Sequence, residues 1–433
     1  MPAGELEKLI AQHAGPYRER IYGPLRTLSL FIGQALSADG ACQDAVARNL
    51  SERTARGRPG CTLNTGPYCK ARQRLRLELV LALLRVIGRR LERLQPVGWR
   101  WQGRSVKLVD GTTVSMPDTP ANQAVFPQNR AQQPGLGFPL ARVVAIFSLG
   151  TGAVLDWAMG PCQGSDSGEE ALFRQQLTVL DARDIVLADQ LYCSYWTLAA
   201  LQARGIDLVM RGKISRQCDF RRGKRLGRGD HIVQWMRPQR PSWMDKETYA
   251  ALPDALIVRE VRINRRVLVT TLLDPGFASA AELERFYASR WNVEVDLRTI
   301  KAESGMDILR CKTPEMARKE VAVHLLSYTL VRAVMAQAAS LGQVLARALS
   351  FRGATQLLNA YHQQLRHSAG ARVRIMTAHV LGALSALRLA RRPDRVEPRA
   401  IKRRPKPHQL LSVPRPLARL QILAQRSFAK VVP

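Results

Sequence analysis

The stretch "SVKLVDG", Ser105–Gly111, decides the fold. Upstream of it the apolar residues recur at helical spacing, as in "YGPLRTLSLFIGQAL", "ACQDAVARNL" and the long amphipathic "PYCKARQRLRLELVLALLRVIGRRLERL". At Ser105 the period drops to two, and the apolar run ends at Asp110-Gly111, which reads as a strand entering a turn. Downstream, "ARVVAIFSL" and "AVLDWAM" flank Gly150-Thr151-Gly152 and predict a hairpin. Next come a helix in "DSGEEALFRQQLTVL", a strand in "DIVLADQ", a helix in "SYWTLAALQAR" and a strand in "IDLVMR". The unbroken apolar run Ile185 to Ala188 suits a strand buried on both faces. Hairpin strands followed by alternating helix and strand make an α/β domain with a mixed sheet.

Five segments follow from this pass. Residues 1–104 are helical, 105–211 form the first part of the α/β domain, and 212–278 are polar, Gly-rich and strand-rich, a β insertion. Residues 279–345 return to helix as the second part of the α/β domain, and 346–433 form a basic helical region and tail. Ser279 with Glu282 has the form of a capping box, and Thr313-Pro314 an N-cap followed by proline. The tail "RRPDRVEPRAIKRRPKPHQLLSVPRPLARL" lacks a sustained apolar period and reads as an extended arm.

Composition points to a polyanionic partner. Lys and Arg number 66 against 35 acids, a formal charge of +31 spread over most of the chain. Such a field attracts nucleic acid. The apolar run "LVLALLRVIG" is short and broken by Arg85, which predicts no bilayer span, and "MPAGELEKLI" lacks the pattern of a secretory signal, which predicts a cytoplasmic protein. Seven cysteines without a Cys-x-x-Cys pair support neither a disulfide framework nor a zinc ribbon. The seven histidines are scattered, so a catalytic metal would rely on carboxylates.

The candidate chemistry begins in "RFYASRWNVEVDLRTIKAESGMD", Arg285–Asp307. On a single helix Tyr287, Arg290, Glu294 and Lys301 fall within roughly 60° of one another. This polar stripe borders the apolar sector of Phe286, Val293, Leu297 and Ile300 instead of lying opposite it. By itself it fits equally an Arg290/Glu294 ion pair, worth about 0.2 to 0.5 kcal/mol. Two further acids shift the balance. Asp110 and Asp189 each end a sheet strand, the place where open α/β folds bind ligands, although a single such aspartate often serves only its turn. Two aspartates and a glutamate can offer oxygen ligands to a pair of hard divalent cations, the requirement for two-metal phosphodiester chemistry.

"LVDGTTV", "IVLADQLY" and Tyr-x2-Arg-x3-Glu-x6-Lys, in that order with a β insertion between the second and third, resemble the DDE transposases of bacterial insertion sequences, in particular the insertion-sequence-four family. The resemblance extends roughly from Gly33 to Arg404, taking in "DGACQDAVARNL", "TGPYCKARQRL" and "RVEPRAIKRRPKP". It implies an RNase H-like catalytic domain, a helical DNA-binding segment before it, and a metal-ligand triad of Asp110, Asp189 and Glu294 holding two Mg2+ or Mn2+ ions. It also implies that Tyr287, Arg290 and Lys301 contact double-stranded DNA at the element's ends, and that a tryptophan of the insertion, Trp235 or Trp243, stacks on a flipped base. Where many relatives follow the second aspartate with Arg-Gly and an aromatic, this chain has Gln190-Leu191-Tyr192; Tyr192 takes the aromatic place and Gln190 is given no role.

The implied function is a cytoplasmic, nucleoid-associated enzyme that binds inverted-repeat ends, pairs them as a homodimer, and cuts and rejoins DNA. A nuclease without strand transfer and a non-enzymatic DNA-binding protein are the competing readings. Asp156, Asp166, Glu169, Glu170, Asp184, Asp296 and Glu303 are given structural roles at strand edges, helix N-termini or off the stripe.

Overall fold

The structure is a computed structural model and describes residues 3–18, 20–37, 39–164, 167–389 and 412–429. The chain opens with α1 (Ala3–His13), α2 (Pro24–Ala35), α3 (Cys42–Ala55), α4 (Gly66–Arg74) and α5 (Leu77–Leu94). Then come β1 (Val106–Ser115), α6 (Pro120–Val125), β2 (Leu140–Ser148), β3 (Val154–Pro161), α7 (Glu169–Arg174), β4 (Ile185–Ala188), α8 (Tyr195–Gln202) and β5 (Asp207–Arg211). The strand-rich segment supplies β6 (Lys224–Gly227), β7 (Asp230–Met236), α9 (Lys246–Ala250), β8 (Ala255–Ile263) and β9 (Arg266–Thr270). The remaining helices are α10 (Ala280–Ala288), α11 (Trp291–Glu303), α12 (Pro314–Leu341), α13 (Phe351–His367), α14 (Gly370–Ala386) and α15 (Arg415–Ala429).

One sheet of nine strands runs in the order β3-β2-β1-β4-β5-β9-β8-β7-β6. Its first five strands have the RNase H-like arrangement: β2 is antiparallel to both β3 and β1, and β1, β4 and β5 are parallel. The strand-rich segment is inserted in sequence but continuous in the sheet, because β9 pairs with β5 through Val209↔Thr270 to Arg211↔Leu268.

β4 shows why a short apolar run can be read so securely. Ile185 and Leu187 pack into one core with Leu108, Val293, Leu297 and Ile300, while Val186 and Ala188 pack into the other with Val109, Phe173 and Leu198. The period of two sends alternate residues to opposite faces, and helices cover both. Full burial of each larger aliphatic side chain contributes about 1.5 to 3 kcal/mol. The buried helix α12, 28 residues long, is apolar enough by length and composition to cross a bilayer, yet here it is the core helix on the first face.

Several elements differ from expectation. The amphipathic stretch before Leu94 is two helices, because Leu75 and Arg76 adopt extended ψ angles of 121° and 136°. The helix expected over "DSGEEALFRQQLTVL" is only α7 followed by a single 3-10 turn at Leu177–Val179, with the Gln176 amide donating to Val144 and Leu172 carbonyls. β1 does not end at Asp110; β2 supplies partners as far as Ser115, and what ends near Asp110 is the β1–β4 ladder, since β4 stops at Ala188. The expected extended arm lies mostly at 390–411, outside the described residues, but its final part enters α15. Both capping predictions hold: Ser279 and Glu282 form a reciprocal capping box, and Thr313 caps α12 with Pro314 in its first turn.

Candidate active site

Asp110 and Asp189 are brought near each other by strand register. Leu108 pairs with Leu187 on parallel neighbours, the last pair of that ladder, so Asp110 and Asp189 each follow two residues beyond it. Asp110 is offset by two from Leu108 within β1, so its side chain belongs to the α11–α12 face. The free oxygens of both aspartates are partly committed to local turns. Asp110 Oδ1 accepts from the Gly111 amide at 2.8 Å, and Asp189 Oδ1 from the Leu191 amide at 2.7 Å.

The helical stripe is not on one helix. Between α10 and α11 the amides of Ser289, Arg290, Asn292 and Val293 bond carbonyls three residues back, a 3-10 joint that tightens the chain. Ser289 Oγ bonds the Phe286 carbonyl, and Asn292 Nδ2 donates to the Ser289 carbonyl, which favours the tight turn over a regular helix. Tyr287 therefore sits at the end of α10, Arg290 on the joint, and Glu294 and Lys301 on α11.

Arg290 ties the stripe to the sheet. Its guanidinium lies 2.6 Å from Glu294 Oε1 and 3.9 Å from Asp110 Oδ2, with both partners half-buried. Tyr287 donates its hydroxyl to the Ala188 carbonyl at 3.3 Å, next to Asp189. Lys301 pairs with Asp307 at 2.8 Å. Asp110, Gly111, Thr112, Glu294, Leu297, Arg298, Lys301 and Asp307 line a cleft of about 570 Å³. Asp189 is outside that lining but close enough to act on Asp110 electrostatically.

Burial pushes the Asp110 carboxyl up to about 6; the Gly111 amide and Arg290 pull it back, and Asp189 and Glu169 add to the rise. Glu169 is itself raised, by burial first and by Asp189 as well. Sequence reasoning gave Glu169 only a helix-terminal role. The structure places its side chain over Gly111, where a Cβ would stand 2.6 Å from Glu169 Cδ. A glycine inside a strand signals close approach of another group, and Gly111 carried that signal without saying what approaches.

The tryptophans separate. Trp235, at 3% exposure, donates to Glu260 Oε1 at 2.8 Å and lies beneath the Arg216 guanidinium. Trp243 is 40% exposed, edge-on to Trp196, with the Arg174 guanidinium 4.0 Å from its ring centroid.

Whether the acids suit divalent cations rests on their chemistry and electrostatics. Three carboxylates, one of them ionising against burial and neighbouring acids, form a site whose charge a divalent cation would balance. As placed, no three such side chains among the described residues converge closely enough to enclose an ion, and Arg290 occupies an oxygen of Glu294.

A family model described as "Transposase DDE domain" matches residues 101–330, more than half of the chain and the span from before β1 into α12. The chain belongs to that family. The family's generally metal-dependent chemistry on DNA accords with the carboxylates gathered at the β1–β4 edge. The chain is 26% identical over 344 residues to the transposase InsG of insertion sequence element IS4 from Escherichia coli (strain K12), covering 78% of this chain and 76% of that one. The resemblance to the insertion-sequence-four transposases thus holds across most of the chain. A solved structure, the piggyBac transposase synaptic complex with hairpin DNA, aligns with a TM-score of 0.42 at 10% identity, covering 86% of this chain and 80% of that one.

Proposed function

We propose that this family member is a DNA transposase that binds the inverted-repeat ends of its own element, brings two ends together as a homodimer, cuts at the element boundary and joins the freed 3′ end to target DNA. The observation that carries the reading is that the Arg290 guanidinium reaches both Glu294 of α11 and Asp110 of β1, with Asp189 near enough to act on Asp110. Separate parts of the chain supply these groups, and a purely structural ion pair has no use for the second aspartate.

In this reading Asp110, Asp189 and Glu294 would hold two divalent cations, Mg2+ or Mn2+, which would supply an activated oxygen nucleophile and stabilisation of the leaving oxygen. The chain's own groups orient the DNA. Arg290 leaves Glu294 and takes a phosphate, for which its planar fork is suited. Lys301 exchanges Asp307 for the DNA backbone, and Tyr287, anchored beside Asp189, lines the path of the strand being cut. Trp243, 40% exposed, takes an unstacked base in place of the Arg174 guanidinium. The helical segment 1–104 and the excess of basic residues engage phosphates along the ends.

The test uses the DNA flanking the coding sequence. End fragments carrying the terminal inverted repeats should be cut in Mg2+ by the wild type and not by Asp110→Ala, Asp189→Ala or Glu294→Ala, with end binding retained. Pre-cut ends should be joined to a target plasmid. Cleavage without joining would make the protein a nuclease, and cutting by the Asp110→Ala protein would overturn the triad.

A further inference from the structure

We infer that Glu169 and Tyr192 form a positioning pair that holds the turn carrying Asp189 against β1, so that Asp189 and Asp110 are presented together. The inference rests on the triad reading above. Tyr192 lies three residues beyond Asp189, in the turn between β4 and α8, and its side chain is fully buried. Its hydroxyl donates to Glu169 Oε2 at 3.1 Å. Glu169, at the start of α7, crosses the edge of β1 at Gly111, the residue after Asp110, where only a hydrogen in place of a side chain leaves room. One carboxylate thus touches the neighbours of both aspartates.

The arrangement is held from behind. Phe173, one turn along from Glu169, meets the Tyr192 ring edge-to-face at 5.7 Å. Arg142 of β2 donates from Nη1 to the Ser167 carbonyl just ahead of α7, and its buried Nε, which has no hydrogen-bond partner, lies 3.7 Å from Glu169 Oε1. Glu170 accepts hydrogen bonds from Ser194 and from Thr197, the latter at 2.6 Å, which pins α7 to the start of α8. The turn from β4 to α8 is therefore held at Tyr192 by Glu169 and at Ser194, the N-cap of α8, by Glu170. β4 is only four residues long and ends at Ala188, so the sheet itself does not continue to order Asp189. A group that fixes an outlying ligand in this way typically affects metal affinity or activity by about 10- to 100-fold when removed.

The test is calorimetric titration of Mn2+ into the full-length, DNA-free protein, alongside end cleavage and end binding. Glu169→Ala and Tyr192→Phe should each weaken Mn2+ binding at least about tenfold, and the double variant no further, because both remove one interaction. Glu169→Gln keeps an acceptor for the Tyr192 hydroxyl and should stay within about threefold of wild type. End binding and the thermal midpoint of Tyr192→Phe, which loses a single oxygen, should be unchanged. Wild-type Mn2+ affinity in Tyr192→Phe would overturn the inference, as would a Glu169→Gln protein as weak as Glu169→Ala, which would make the charge itself the contribution. Loss of end binding in step with Mn2+ binding would also overturn it, by marking a general structural role. The triad reading fails separately, if Asp110→Ala still cuts.

Discussion

Asp110 ionises at a cost to folding, and its replacement by Asn should stabilise the metal-free protein while ending cleavage. The carboxyl side chain is 17% exposed and its pKa is raised from the ordinary 3.8 to about 6. A group with a raised folded pKa binds its proton more tightly folded than unfolded, so its favourable contribution is complete below about 4 and is lost as pH climbs through about 6. Above that point the folded chain carries an ion that it holds less well than water does. The rise from 3.8 to about 6 corresponds to about 3 kcal/mol. Asn is nearly isosteric, can still accept from the Gly111 amide and carries no charge. Urea unfolding in chelator should therefore show Asp110→Asn more stable than wild type by up to about 3 kcal/mol at pH 7.5, with the difference fading towards pH 4. Saturating Mg2+ should shrink the gap by stabilising only the wild type. An Asn protein no more stable than wild type at pH 7.5, or an advantage that persists unchanged at pH 4, would refute the reasoning.

Three other outcomes follow from the geometry. Trp235→Ala should lower stability by about 3 to 5 kcal/mol in urea unfolding, as expected for a buried aromatic, whereas Trp243→Ala, at a partly exposed ring, should cost less and weaken binding to end DNA with an unpaired base by about 1 to 3 kcal/mol. Lys301→Ala should reduce the salt slope of end binding by about one, while Asp307→Asn, which releases Lys301, should tighten binding by no more than about fivefold, both read by fluorescence anisotropy across a salt series. Asp296 is fully buried between Arg332 at 2.8 Å and Arg347 at 2.8 Å, so Asp296→Ala should cost about 3 to 5 kcal/mol in urea unfolding by leaving two cations unpaired.

Local chemistry made part of this protein legible before any coordinates. Ile185–Ala188 read as a doubly covered strand, Gly150-Thr151-Gly152 as a hairpin turn, and Ser279 with Glu282 or Thr313 with Pro314 as helix starts, because each depends on local composition or on side-chain bonds within a few residues. The same locality limited the rest. A helical wheel assumes one helix, and the 3-10 joint at Ser289-Arg290 broke that assumption while still delivering Arg290 to both Glu294 and Asp110. The two tryptophans were equal in sequence and differ in burial, Trp235 being enclosed with its indole nitrogen on Glu260 while Trp243 stays 40% exposed.

By itself, then, the sequence determined the α/β class, the order of its strands along the chain and the identity of the family, since these rest on periodicity and on motifs read in order. Tertiary structure decided that Asp110 lies inside a strand at the point where its parallel neighbour stops, that the strand-rich segment continues the sheet, and that Glu169 reaches the edge of β1 over Gly111. Each of these is a contact between segments far apart in the chain. Such contacts arise from sheet register and from the packing of helices onto its two faces, which no local pattern of residues encodes.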